Sequence, residues 1–296
     1  MRYGLIANRL HRRADGGALA DWLRACDAGI RALRWELHTV GGTFDAMQRQ
    51  GLLAGYAPVA RLAYGAEGGV MRIASRIVGG LAPEQALDGA IYLVDPVDPS
   101  SMYPEALALK RQCVIHAKPF VATLAGAIEW VAVESVHAGL DAALPAPEQQ
   151  TLALIAHDAL KERMVDFAAA HFELLSRFAE RVATGTTGSR LNALAAARGW
   201  PAERPWVRCE RSGPLGGDAQ IAERVLDRRC QKVIFFEDPH VARQHEADIQ
   251  LLERAVCSAT RETSCFNSPA MAERWAQAHR KARQAAAPGH PHQGLS

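Results

Sequence analysis

The sequence predicts an α/β fold of two tandem units, each a mainly parallel sheet flanked by helices. Three observations carry this expectation. Four motifs recur in the same order in the two halves of the 296-residue chain, short apolar runs alternate with amphipathic stretches, and clusters of glycine, threonine and aspartate follow the apolar runs. Repeats are sought first because they govern every later assignment.

Residues Gly4–Arg12 (GLIANRLHR) answer Ala153–Lys161 (ALIAHDALK), and Val40–Thr43 (VGGT) answer Thr184–Thr187 (TGTT). Tyr64–Val70 (YGAEGGV) answer Ser212–Asp218 (SGPLGGD), and Ala90–Pro96 (AIYLVDP) answer Val233–Pro239 (VIFFEDP). Four matches in register make a tandem duplication the best account. The seam is expected near Leu144–Glu148, a Pro/Ala stretch without apolar periodicity. The expected units are 1–142 and 150–284, and either is long enough to bury a core. Residues 285–296, with Pro288, Gly289 and Pro291, read as a loose, flexible tail.

Thr151–Ala156 and Lys232–Phe236 are short apolar runs, the form of strands buried on both faces. Asp158–Leu175 and Ala219–Arg229 space their apolar residues between charges, as amphipathic helices do. Strands alternating with helices imply βαβ units and a parallel sheet. Ligands of such sheets bind in loops beyond the strands' carboxyl ends. His157-Asp158, Thr184–Gly188, Gly216–Asp218 and Asp238-Pro239 all fall there, so four loops are expected to converge on one pocket.

Composition bounds the function. Hydrophobic residues at 49% and charged ones at 22% are the balance of a globular protein, and a formal charge of +2 argues against a surface built to neutralise nucleic acid. No apolar run is long enough to cross a bilayer and the first residues lack a signal peptide's apolar core, so cytoplasm is the default location. Cys26, Cys113, Cys209, Cys230, Cys257 and Cys265 show no CxxC or zinc-type spacing and read as buried thiols. No metal is expected.

The second half carries the chemistry. In Thr184–Gly188, glycines admit close approach of an oxyanion while hydroxyls and helix-start N–H groups supply donors. Ser212 and Gly213 add donors, and Lys161 a compensating charge. A lone loop of this kind is more often a turn with an N-cap; its ionisable neighbours change the weighting. Asp218 follows a Gly-Gly pair, where tight placement and partial desolvation raise a carboxylate's affinity for a proton. His157 and His245 suit carbonyl polarisation or proton transfer near neutral pH. Asp248, three positions past His245, can share its helical face and orient the ring. Taken singly, Asp158 and Asp238 read as caps and His245 as a surface histidine.

Together these residues resemble the methylglyoxal synthase family. The motifs are His157-Asp158-x-x-Lys161, Thr184–Gly188, Ser212–Asp218 and Phe235-Phe236-x-Asp238-Pro239, followed by His245 and Asp248, in unbroken order over about residues 151–275. The resemblance implies a compact α/β enzyme that converts dihydroxyacetone phosphate to methylglyoxal and inorganic phosphate with no cofactor, assembles as a homohexamer and is inhibited by phosphate. It makes Asp218 the base, and gives His157 and His245 the carbonyl and enediolate oxygens. Asp158, Asp238 and Asp248 then position these groups, while Lys161, Thr184, Gly185, Thr186, Thr187, Ser212 and Gly213 hold the phosphate. Two positions depart from the family. Glu237 stands where a large aromatic is usual and is expected to bring negative charge near the substrate. The ending beyond Pro269 is also unusual, leaving Arg274, Arg280 and Arg283 as candidates for a phosphate-binding arginine.

The first half has lost this set. Asn8 answers His157, Arg9 answers Asp158, Val70 answers Asp218, Met102 falls opposite His245 and Glu105 opposite Asp248; Asp95 alone matches. This copy is expected to be non-catalytic. Arg12, Gly41, Gly42 and Thr43 keep open either a remnant anion site or a preserved turn. A dead copy standing in for one subunit makes a trimer of chains equivalent to a hexamer. Two other functions stay in view: a metal-dependent phosphatase, because histidines and carboxylates also bind metals, and a regulatory module that binds a phosphate ester without reacting.

Overall fold

The computed structural model describes residues 1–240 and 246–286, the side chains of 246–248 excepted. The chain opens with β1 (Arg2–Ala7), α1 (Ala18–Ala32), β2 (Glu36–Thr39), α2 (Gly41–Arg49) and β3 (Val59–Arg61). It continues through α3 (Gly69–Ile77), β4 (Gly89–Leu93), α4 (Pro104–Ile115), β5 (Phe120–Val121) and α5 (Leu124–His137). A second series follows: β6 (Thr151–Ala156), α6 (Lys161–Ala170), α7 (Phe172–Ser176), β7 (Glu180–Ala183), α8 (Gly185–Ala197) and β8 (Arg208–Cys209). It ends with α9 (Gly217–Leu226), β9 (Lys232–Phe236), α10 (Glu246–Ser258), β10 (Ser264–Phe266) and α11 (Pro269–Ala286).

Two five-stranded sheets result, in the orders β3-β2-β1-β4-β5 and β8-β7-β6-β9-β10, and every strand pairing is parallel. The central strands are covered by helices on both faces, and that is why the apolar runs of β6 and β9 are buried along nearly their whole length. In each series the chain steps outward from the central strand, then returns to its other side. The crevice beyond the carboxyl ends of β1 and β4, or of β6 and β9, is therefore a topological switch point, where open α/β sheets bind ligands.

The single helix expected over 158–175 is broken. A 3-10 turn (Asp158–Leu160) precedes α6, and α6 and α7 meet at His171. The His171 ring turns inward, where Nε2 lies 2.7 Å from Glu273 on α11, so a tertiary contact interrupts the local period. The seam region around Leu144–Glu148 joins α5 to β6, with a 3-10 turn at Pro147–Gln149. Residues 285 and 286, expected to begin the tail, are the last turn of α11, and 287–296 lie outside the described residues. No helix among the described residues is long and apolar enough to cross a membrane. All six cysteines are free, but Cys209 is exposed rather than buried, because β8 is a sheet-edge strand.

The two series share one interior. Helix α5 packs against α1, α11 and β10, and Trp130 meets Phe266 edge-on with ring centroids 6.0 Å apart. Lys232, with no exposed surface, is ion-paired with Glu129 and donates to Ser264 Oγ at 2.6 Å. Trp275 Nε1 donates to the other Glu129 oxygen at 2.8 Å. A buried charge pair is tolerable only when its remaining hydrogen-bonding capacity is filled, and here a serine and an indole do so.

Candidate active site

At the β6–β9 switch point a cavity of about 580 Å³ is lined by His157, Asp158, Lys161, Thr184, Thr186, Ser212, Gly213, Asp218 and Asp238, with Pro214 and Phe235 completing the wall. The four loops expected to converge do so.

His157 follows β6 and is 7% exposed. Its N–H donates to Phe236 O at 3.1 Å, and its Nδ1 accepts the N–H of Asp238 at 2.9 Å. A ring nitrogen that accepts carries no proton, so the neutral ring holds its proton on Nε2. Phe235 stands edge-on to the ring, centroids 4.7 Å apart. Asp238 uses Oδ1 to accept the N–H of His240 at 3.0 Å, an Asx turn that holds the loop after β9.

The opposite wall is a helix start. Thr184 is the N-cap of α8, and its hydroxyl makes no capping bond. The Gly185 N–H is taken by Arg211 O at 3.0 Å. Thr186 faces the cavity, whereas Thr187, expected to hold phosphate, is 1% exposed and does not line it. Lys161, the first residue of α6, lies 2.5 Å from Asp158, whose carboxylate side chain is almost fully exposed.

The third wall depends on glycine geometry. Gly216 has φ +90°, a left-handed conformation that turns the chain into α9. A Cβ on Gly217 would lie 1.9 Å from Arg211 O, so no side chain fits there. The turn brings Asp218, 4% exposed, into the first turn of α9, with its carboxylate against Gly213: a Cβ on Gly213 would lie 3.0 Å from Oδ2.

Several expectations change. Glu237 does not face this cavity. Phe236 packs into the interior, and Glu237, the first residue past the end of β9, reaches a cleft between the two series rather than the cavity that Phe235 lines. There it lies 2.7 Å from Lys110 of α4. Arg274 is bound to Glu134, while Arg280 and Arg283 line a separate depression beside His171 and Arg177, so none of the three reaches the Asp218 cavity within this chain. His245 and the Asp248 side chain lie outside the described residues. Among the described residues, no three His, Cys, Asp or Glu side chains are grouped as a metal site. The role of Phe235 was missed; the strand alternation of Phe235 and Phe236 was the signal that could have found it.

The first series repeats the scaffold. Asn8 N–H donates to Leu93 O at 3.1 Å, and Asp95 N–H donates to Asn8 Oδ1 at 3.0 Å. Gly41 N–H donates to Ala63 O at 3.1 Å, and Gly68 has φ +83°. The matching backbone contacts hold different side chains.

No family model matches the chain. A methylglyoxal synthase from Thermus thermophilus is 46% identical over 109 residues, which are 37% of this chain and 79% of that relative. One from Burkholderia cenocepacia is 46% identical over 104 residues, 35% of this chain and 73% of the relative. Among solved structures, a methylglyoxal synthase from Elizabethkingia anophelis is 31% identical, covering 48% of this chain and 81% of its own, with a TM-score of 0.34.

Proposed function

The chain belongs to the methylglyoxal synthase family, and from that premise we propose that its second half converts dihydroxyacetone phosphate to methylglyoxal and inorganic phosphate. One observation supports the reading: Asp218 and His157, whose neutral ring carries its proton on Nε2, line the same cavity as Thr184 and Thr186 at the start of α8 and Lys161.

A base, an oxyanion donor and a phosphate cradle are the parts the reaction needs. Asp218 removes a proton from the hydroxymethyl carbon, and the electron pair moves onto the carbonyl oxygen, where His157 Nε2–H stabilises the enediolate. The C–O bond to phosphate then breaks, its electrons leaving with the phosphate, and the enol that remains takes up a proton to become methylglyoxal. Orientation decides the outcome. A C–O bond held perpendicular to the enediolate plane is expelled, whereas one held in the plane is not, so the Thr184–Thr187 helix start acts by fixing an angle. Asp238 positions His157 through its main chain, and Asp158 sets the charge on Lys161.

The first half is then a non-catalytic unit spanning 1–142, joined to a catalytic unit spanning 150–284. It replaces one subunit of the family's assembly, and the chain forms a cytoplasmic trimer; a monodisperse monomer by light scattering would overturn that part.

The test incubates purified protein with dihydroxyacetone phosphate and quantifies methylglyoxal and free phosphate, with Asp218→Asn alongside. Equimolar products that fall by about 10³-fold or more in the variant are expected. Phosphate with dihydroxyacetone and no methylglyoxal would mean a phosphatase, and binding without either product would mean a sensor.

A further inference from the structure

We propose that the first half holds a second phosphate-monoester site, one that binds its ligand without reacting. The cavity at the β1–β4 switch point is about 720 Å³, larger than the one beside Asp218. Asn8, Arg9, Arg12, Gly42, Tyr64 and Ser100 lie in its wall.

The charge of this cavity has increased. In the second half, Asp158 and Lys161 neutralise one another at 2.5 Å. Their counterparts are Arg9 and Arg12, so the same two positions go from a net charge of zero to two positive charges. Among the described residues, neither arginine has a carboxylate within ion-pair distance. Asp98 and Glu105 also lie in the wall, and Asp98 acts on both arginines at longer range. Asp98 accepts the N–H and hydroxyl of Ser100, and Asp45 accepts the Tyr64 hydroxyl at 2.6 Å. The Arg12 guanidinium is folded against the backbone: a Cβ on Gly42 would lie 2.0 Å from its Nη1. Burial, and then repulsion from Arg9, push Arg12 below its ordinary value. A half-buried cation whose carboxylates all lie beyond ion-pair distance is only partly compensated, and a dianion bridging both arginines completes the compensation.

The same cavity has no means of turnover. Val70 occupies the place on α3 that Asp218 occupies on α9, and Asn8 is held by Asp95 N–H, Tyr92 and Ser100 where a histidine would donate. A monoester fits better than inorganic phosphate, because the exposed Tyr64 and Tyr103 rings offer apolar surface to an organic group.

Isothermal titration of the full chain with glycerol 3-phosphate, a monoester lacking the carbonyl, tests the proposal. Wild type should bind two equivalents per chain, and Arg9→Gln/Arg12→Gln one. Gly42→Asp, whose carboxylate would pair with Arg12, should also bind one while raising the melting temperature, which separates lost binding from lost folding. Lys161→Gln/Thr186→Val should lose the other equivalent. A wild type that binds one equivalent, indifferent to the first-half changes, overturns the proposal and leaves the second-half reading intact. A single equivalent lost only with Arg9 and Arg12 upholds it and overturns that reading instead. Inorganic phosphate binding as tightly as the ester overturns the ester assignment.

Discussion

The main-chain N–H of Asp238 donates to Nδ1 of His157, and this contact places the ring's one neutral-state proton on Nε2. Under the proposed function, His157 therefore acts as a hydrogen-bond donor rather than a base. His157→Gln should lower kcat by about 10²- to 10³-fold while leaving inorganic phosphate affinity in the second half unchanged. Steady-state kinetics and titration on the same preparation separate the two effects.

Glycine at 217 is imposed by the carbonyl of Arg211, 1.9 Å from where a Cβ would sit. Gly217→Ala should cost roughly 1–3 kcal/mol of stability and also lower kcat, because Asp218 is the next residue. Gly69 faces Ala63 O in the same way at 2.2 Å. Gly69→Ala should destabilise comparably and leave the activity of the folded fraction alone. Denaturant titration with activity normalised to folded protein distinguishes them.

Lys232 and Glu129 are paired with almost no exposure, one from each half. Removing one partner strands a buried charge, so Lys232→Met should destabilise by about 3–5 kcal/mol. Replacing both, with Glu129→Gln added, should recover much of that loss in a double-mutant cycle by chemical denaturation.

His279 is buried against Trp275, and burial pushes its pKa from 6.5 down to about 4. Between those values the unfolded chain binds the proton and the folded chain does not, so stability rises with pH across that window. Lowering the pH from 6.5 to 4 should cost about 3 kcal/mol from this group. His279→Gln should flatten that part of the profile, as melting temperatures from pH 4 to 7 would show.

Glu237 pairs with Lys110 and faces away from the Asp218 cavity. Glu237→Gln should therefore change KM for dihydroxyacetone phosphate by less than about twofold, since its charge is compensated locally. A severalfold fall in KM would return Glu237 to the substrate's surroundings.

Period and punctuation made the strands readable. The bounds of β6 and β9 coincide with the apolar runs Thr151–Ala156 and Lys232–Phe236, and the loop residues after them share a cavity. What local sequence does not encode is direction and tertiary contact. Glu237 was expected near the substrate, yet just past the end of β9 it pairs with Lys110 in a cleft away from that cavity. His171 interrupts a helical period because Glu273, some hundred residues distant, draws its ring inward. Arg274 looked available until the structure bound it to Glu134. The Lys232–Glu129 pair was invisible for the same reason: a lysine opening an apolar strand reads as a solvent-facing end.

The shared interior around α5 and α11 has a further consequence for how the chain responds to dilution. Between two separate subunits, such a contact dissociates as concentration falls below its equilibrium constant. Here the stretch from 138 to 150 joins the two sides covalently, so each meets the other at an effective concentration on the order of millimolar whatever the cellular abundance. Stoichiometry is locked at one to one. A substitution on either side of Trp130–Phe266 is thus always met by the same partner, and the two surfaces can diverge together without passing through a self-complementary form.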